Sequence, residues 1–269
     1  MKMEQQKKDV KAQWSESAPY WEKYRETVRE MFAPVTAALI ADARIARGDT
    51  VLDVAMGPGE PALSIAEFVG PAGKVVGTDF VAGMVEAARR EGERRGLRNA
   101  EFETASAEKL PFADNSFDAA VCRFGVMFFP SPVGGVREML RVVKPGERVA
   151  MAAWCAAERN PFHYVLANIV DRYVPSPPPE PGAAEMFRFS TPGDLLGVFA
   201  SAGVKNPSER ALRFAIAARV TPEEYWKIRS EMSEKLRTKL AQLSQEKLEE
   251  LKHEVLGEIR AYSSGESIS

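Results

Sequence analysis

Val51-Leu52-Asp53-Val54-Ala55-Met56-Gly57-Pro58-Gly59-Glu60 is the stretch whose reading decides the rest of the chain. Thr50 to Val54 have strand character, Gly57-Pro58-Gly59 form a turn, and Pro61-Ala62-Leu63-Ser64-Ile65-Ala66 reads as the start of a helix. A glycine turn placed there lets a ligand press against bare backbone and meet the free amides of the first helical turn. Two classes of ligand use such a turn. Gly57, Gly59 and Ala62, with the acid Asp79 about 20 residues on, fit the dinucleotide pattern G-x-G-x-x-A. Asp53 points the other way, because a carboxylate inside the strand repels a pyrophosphate and attracts an ammonium.

S-adenosylmethionine (SAM) has an α-ammonium and a sulfonium and no phosphate. Asp53, Ala55, Gly57 and Gly59 resemble the D-x-G-x-G-x-G motif of class I SAM-dependent methyltransferases, with alanine at the first glycine. The added methyl group bears on how closely the backbone at Ala55 approaches the methionine moiety. In this resemblance Asp79, at the tip of the second strand KVVGTDF, accepts hydrogen bonds from both ribose hydroxyls. Phe80 packs on the adenine, and Met84 matches the family's apolar residue under the purine.

A second stretch, SAEKLPFADNSFDAAVCRF, narrows the resemblance. It is similar to the D-A-E-x-L-P-F and D-x-S-F-D pattern of the ubiquinone/menaquinone-biosynthesis-type branch. Ala107, Glu108, Leu110, Pro111, Phe112, Asp114, Ser116, Phe117 and Asp118 fit in order, and Ser106 replaces the aspartate. Adenine needs an acceptor for its N6 amino group and a donor for N1; Ser106 Oγ and the Ala107 amide are the candidates. Arg123, Phe124 and Met127, beyond the fourth strand, are expected to face the methyl-transfer chamber. VREMLRVVKPGERVAMAAW resembles the family's R-V-L-K-P-G-G turn and fifth strand, with Glu147 on the outer turn.

Composition bounds the function. The chain has 269 residues, 45% hydrophobic and 28% charged, which suits one soluble core with appended helices. A net charge of −2 and a pI near 5.9 give no field for a phosphate backbone, so nucleic acid is excluded as a partner. Cys122 and Cys155 form no C-x-x-C pair and read as small buried hydrophobes. Two distant histidines leave no metal constellation. The N-terminus is charged without an apolar core and no apolar run reaches membrane-spanning length, so a cytoplasmic protein is expected.

The expected organisation is a helical lid over 1–47, a SAM-binding core over 48–220, C-terminal helices over 221–262 and a disordered tail over 263–269. The lid reads as two helices. The first carries Trp14, Tyr20, Trp21 and Tyr24; the second starts at Pro34. The resemblance implies that Tyr20 or Tyr24 reaches the methionine carboxylate. An insertion at 156–186, with a helix over Pro161–Tyr173, is expected to cap the acceptor. It carries His163, the candidate base, which with Met127 and Trp154 makes up the expected acceptor side. Strands near Val204–Leu212 and Arg213–Val220 would close a seven-stranded, mostly parallel Rossmann-like α/β sheet with an antiparallel last strand and helices on both faces. Thr221, Pro222 and Glu224 form a capping box. The stripe Leu236, Leu240, Leu243, Leu248, Leu251, Val255 and Ile259 is expected to pack on the sheet, with a homodimer contact left open.

The function read from these residues is transfer of the SAM methyl group to a small-molecule acceptor through oxygen, nitrogen or carbon, the acceptor being a quinone, a phenol or another lipophilic molecule. S-adenosylhomocysteine (SAH) is the product, and no metal is involved. Two alternatives stand beside it: a SAM-binding module without turnover, and an NAD-dependent oxidoreductase.

Overall fold

The computed structural model describes residues 2–177, 180, 182–216, 220–264 and 267–268. Five parallel strands form its sheet: β1 (Thr50–Val54), β2 (Lys74–Asp79), β3 (Ala100–Thr104), β4 (Phe117–Arg123) and β5 (Val143–Ala152), in the order β3-β2-β1-β4-β5. The order reverses beside β1, so β1 and β4 open a crevice at their carboxyl ends, where α/β sheets bind ligands. Eleven helices are described. They are α1 (Lys2–Lys23), α2 (Arg25–Met31), α3 (Ala33–Asp42), α4 (Ala62–Val69), α5 (Ala82–Arg94), α6 (Pro132–Val142), α7 (Pro161–Tyr173), α8 (Asp194–Ala202), α9 (Pro222–Met232), α10 (Glu234–Leu240) and α11 (Gln245–Arg260).

Strand side chains alternate between two cores, as a pleated strand requires. Leu52 and Val54 join Ala120 and Cys122 in one core, which α6, α7, α9 and α11 complete with Met139, Leu166, Tyr225 and Val255. Val51, Val75, Ala119 and Val121 face the other, against Val35 and Leu39 of α3, Ile65 of α4 and Val85 of α5. Burying each such side chain is worth about 1.5–3 kcal/mol, which holds the strand tips in place.

Helix starts follow the sequence closely. Ser131 Oγ accepts the Gly134 amide at 3.2 Å to cap α6. At α9, Thr221 Oγ1 accepts the Glu224 amide at 3.1 Å while the Glu224 carboxylate accepts the Thr221 amide at 2.9 Å. The helix expected over Pro161–Tyr173 is α7.

Several expectations need correction. The sheet has five strands, all parallel, in place of seven with an antiparallel last strand. Over 204–216 the chain runs without a strand ladder, and 217–219 lie outside the described residues. Phe214 and Ile216 lean on the core, giving the period-two pattern, but Leu212 is exposed, Pro207 has no amide proton, and Arg210 ties the segment to Asp42 at 2.9 Å. The N-terminal segment folds as three helices, because α2 and α3 separate at Phe32. Of the leucine stripe, Leu251, Val255 and Ile259 pack α11 against α7 and α9 within the core that Leu52 and Val54 share. Cys155 is exposed; Cys122 alone is a buried thiol. In the tail expected to be disordered, Ser263–Ser264 pair antiparallel with Ser267–Ile268, and residues 265, 266 and 269 lie outside the described residues.

Candidate active site

A cavity of about 700 Å³ lies over the carboxyl ends of the strands. Its walls come from the loop after β1, the tip of β2, the loop after β3, the turn after β4, the end of β5, and helices α1, α2, α7 and α9. From β2 to β5 is three strand spacings, about 14 Å, which gives the cavity two distinct ends.

Gly57 and Pro58 form the floor. Gly57 has φ 59 and open space where a side chain would start, so backbone lies bare to the cavity. Gly59 answers to a different need: with φ 118, a Cβ there would stand 2.5 Å from Leu63 Cδ1. Ala55 also takes a left-handed conformation, φ 60, which glycine adopts at no cost and alanine does not. Its methyl group fits because residue 125 is glycine.

Asp79 meets the floor directly. Its Oδ2 accepts the Gly57 amide at 3.0 Å and its Oδ1 the Val81 amide at 2.9 Å. Each oxygen keeps a lone pair to offer to the cavity, which the residue lines. Burial pushes this carboxyl up to about 6, against the pull of the Val81 and Gly57 amides.

Asp53 is placed elsewhere. It shares its strand face with Val51, so it is fully buried against the helices of the second core and does not line the cavity. Neither carboxylate oxygen has a hydrogen-bond partner. Burial drives its pKa well above 3.8, opposed by the Arg123 charge and the Ala62 amide. Arg123, expected in the methyl-transfer chamber, reaches the cavity wall only in part. Its Nη1 donates to Thr36 Oγ1 at 2.9 Å and its Nη2 to the Glu60 carbonyl at 3.2 Å. A chain of ion pairs continues behind the loop, Glu60 to Arg95 at 2.9 Å, Arg95 to Glu91 at 2.8 Å and Glu91 to Arg25 at 2.9 Å.

One end of the cavity gathers Phe80, Met84, Ser106, Ala107 and Glu108. Ser106 Oγ donates to Glu108, leaving its lone pairs free to accept. Glu108 also accepts the Ser131 amide at 3.1 Å, which fixes the loop to the start of α6. Helix α1 closes over this end: Ala18 packs on Val81 and Met84, and Trp14 lies edge-on to Phe128 at 5.0 Å. Glu22 anchors it to Arg90 at 2.8 Å. Tyr20 and Tyr24 are not brought in. Tyr20 lies under the Arg237 guanidinium at 4.5 Å and the Tyr24 hydroxyl donates to Glu231 at 2.7 Å, because both project from the face of the helical segment that meets α9 and α10.

The other end is aromatic. Phe124, in a left-handed conformation with φ 61, stacks flat on Trp154 with centroids 4.1 Å apart and planes at 5°; Phe32 stands edge-on to both. Met127 Sδ accepts the Trp154 amide at 3.5 Å. His163 packs against Trp154 at 4.6 Å, is 5% exposed, and has no hydrogen-bond partner at either ring nitrogen. Burial, helped by the Arg229 charge, holds its pKa well below 6.5, so the ring is neutral at pH 7. Arg229, which the sequence reading missed, lines the cavity from α9. Its signal was a cation on the apolar face shared by Tyr225, Ile228 and Met232.

Among the described residues no group of three or more His, Cys, Asp or Glu side chains could hold a metal ion, and no helix is long and apolar enough to cross a membrane.

The family model for the ubiE/COQ5 methyltransferases matches residues 35–173, more than half of the chain. The chain belongs to the ubiE/COQ5 methyltransferase family. It is 39% identical over 131 residues to a demethylmenaquinone methyltransferase of Listeria welshimeri, covering 46% of this chain and 56% of that protein. To a ubiquinone/menaquinone biosynthesis C-methyltransferase of Pseudomonas fluorescens it is 36% identical over 127 residues, 47% of this chain and 48% of that protein. The chain thus spans about half the length of the curated relatives it matches. Its fold is shared with a SAM-dependent methyltransferase from Aquifex aeolicus, at TM-score 0.50 and 23% identity over 66% of this chain and 82% of that one. The family match ends at Tyr173, so α9 and its Arg229 lie outside it.

Proposed function

We propose that the chain transfers the methyl group of SAM to a flat aromatic acceptor of the quinol or phenol type. The observation that carries this reading is the Asp79 carboxylate, held by one amide on each oxygen and facing the cavity beside the bare Gly57 backbone. Such an acceptor suits the two hydroxyls of a ribose. The same acceptor would serve the ribose of a dinucleotide, and it is the match to the methyltransferase family that weighs against that alternative. Phe80 and Met84 then flank the adenine, with Ser106 Oγ accepting from its amino group. Asp53, buried beneath the loop, acts on the ammonium through its field and not by contact.

When bound, SAM supplies an electrophilic methyl group on sulfonium and departs as the thioether SAH. The residues of the chain align, enclose and take up a proton. Phe124, Trp154 and Phe32 hold a flat ring in the acceptor end, where stacking fixes its plane. Helix α1 with Trp14 and Trp21 keeps water out. The acceptor atom gains the methyl carbon and gives up its proton, and the neutral His163 ring has a lone pair free to receive it. The names of the relatives support a quinone-type acceptor for this chain.

Titration calorimetry with SAH, followed by a screen of quinols, phenols, amines and lipids with methyl-labelled SAM, tests the reading. Micromolar SAH binding with label on a quinol or phenol supports it. SAH binding without transfer to any of these points to a module without turnover, and NAD binding in place of SAH to the oxidoreductase.

A further inference from the structure

Arg229 is a cation without a counter-ion. It projects from α9 into the acceptor end of the cavity, with its guanidinium 5.3 Å from the centre of the Phe162 ring. Its Nε is shielded from solvent and has no hydrogen-bond partner, and no carboxylate forms an ion pair with it among the described residues. The Tyr225 hydroxyl donates to the Phe162 carbonyl at 2.6 Å and keeps a lone pair for the guanidinium, a neutral partner that leaves the charge uncompensated. His163, next along α7 from Phe162, brings two more unpartnered nitrogens into the same space. A cation without a counter-ion in an apolar wall, and a buried ring with no hydrogen bond, are less stable than a paired arrangement unless a ligand satisfies them. Phe162 and Trp154 line the same cavity, so a ring seated against them places its substituent within reach of these two residues.

We propose that Arg229 and His163 form an anion-recognising pair that selects acceptors bearing an ionised or ionisable oxygen on their aromatic ring. The inference builds on the methyl-transfer reading only in calling the bound ring an acceptor. Arg229 offers a guanidinium N–H to the oxygen, and His163 a second N–H from its neutral ring. A ring oxygen held as an anion also pushes electrons into the ring, which makes its carbons better methyl acceptors. Arg229 is therefore a specificity-determining residue supplied by the C-terminal helices, beyond the segment that matches the family.

The test compares 2-naphthoate with its neutral counterpart 2-naphthamide by calorimetry, with and without SAH. Wild type should bind the naphthoate at least about tenfold more tightly. Arg229→Met should lose that preference while its affinity for the amide and for SAH stays within about twofold, and Arg229→Lys should restore part of it. A further arm follows the phenolate absorption of bound 2-naphthol, whose ionisation should fall by about one pH unit in wild type and return in Arg229→Met. Preference for the naphthoate without this shift supports the pair and assigns it to carboxylates. Equal affinities in wild type, binding of neither probe, or a preference that survives in Arg229→Met overturns it. If Arg229→Met does not fold, the wild-type probe pair and Arg229→Lys still decide. Loss of the SAH reading would appear separately, as failure of SAH to bind while the naphthoate preference stands.

Discussion

The Ala55 methyl carbon lies 2.5 Å from where a Cβ on Gly125 would stand. The two positions are complementary: residue 55 carries a methyl group at a left-handed turn because residue 125 carries none. Cys122 Sγ, at 2.9 Å from the same point, closes off any retreat. Gly125→Ala should therefore destabilise the fold by about 1–3 kcal/mol through overpacking. Ala55→Gly should change stability by under about 1 kcal/mol, since relief at φ 60 offsets the lost methyl burial. In the double variant part of the Gly125→Ala cost should return. Denaturant titration of the four proteins measures this coupling, and strict additivity contradicts the contact.

Asp79 should make cofactor binding pH-dependent. Its carboxyl titrates at about 6 in the free protein, above its ordinary 3.8, so the folded state loses stability as pH rises from 3.8 to about 6. The ionised form accepts from both ribose hydroxyls, whereas the protonated form turns one oxygen into a donor and accepts more weakly. SAH affinity should accordingly fall as pH drops below about 6, by up to about tenfold per unit. Asp79→Asn should flatten the profile and weaken binding at pH 7.5 at least about tenfold. Calorimetry between pH 5 and pH 8 checks both outcomes.

Asp53 and Arg123 should separate stability from function. Asp53 titrates well above 3.8 in the fold, so its charge opposes folding increasingly as pH rises past that value. The stability of Asp53→Asn relative to wild type should therefore improve from pH 4 to pH 7.5, while its affinity falls for both SAM and SAH, which carry the same α-ammonium. Arg123→Met should instead lose about 3–5 kcal/mol, because it strips the compensating charge from buried Asp53 and Glu60. Thermal unfolding across pH tests the first statement, and a single-pH measurement the second.

The lid can be tested without cutting into the core. Removing all of 1–30 would take Val28, which is buried in the main core, so truncation confounds the roles. Trp14→Ala spares α2. It should cost about 1–2 kcal/mol of SAH affinity through a faster release rate, with a smaller change in melting temperature. Stopped-flow release kinetics give the direct readout.

The parts of the site set by local chain chemistry were legible in the sequence. Gly57, Asp79 and the Ser106–Glu108 loop stand at strand tips, where five residues of pattern fix the position, and all reach the cavity. Asp53 was misplaced because the motif names a residue but the pleat decides its face; sharing a face with Val51 sends it into the second core. Tyr20 failed for a similar reason, since its partner Arg237 comes from a helix over two hundred residues away in sequence. The last two expected strands followed the outline of the methyltransferase sheet; within the described part of that stretch Phe214 and Ile216 lean on the core, but no strand edge pairs with it. Arg229 reaches the acceptor end only through the packing of α9 on α7, by way of Tyr225 and Phe162.

A crystal structure of the protein with SAH bound tests the central claim most directly. The account predicts the ribose hydroxyls within about 3 Å of the Asp79 carboxylate, with the adenine between Met84 and the Ser106 loop and the sulfur pointing toward Phe124. SAH absent from that crevice at saturating concentration, with NAD filling it in a parallel soak, would contradict the account.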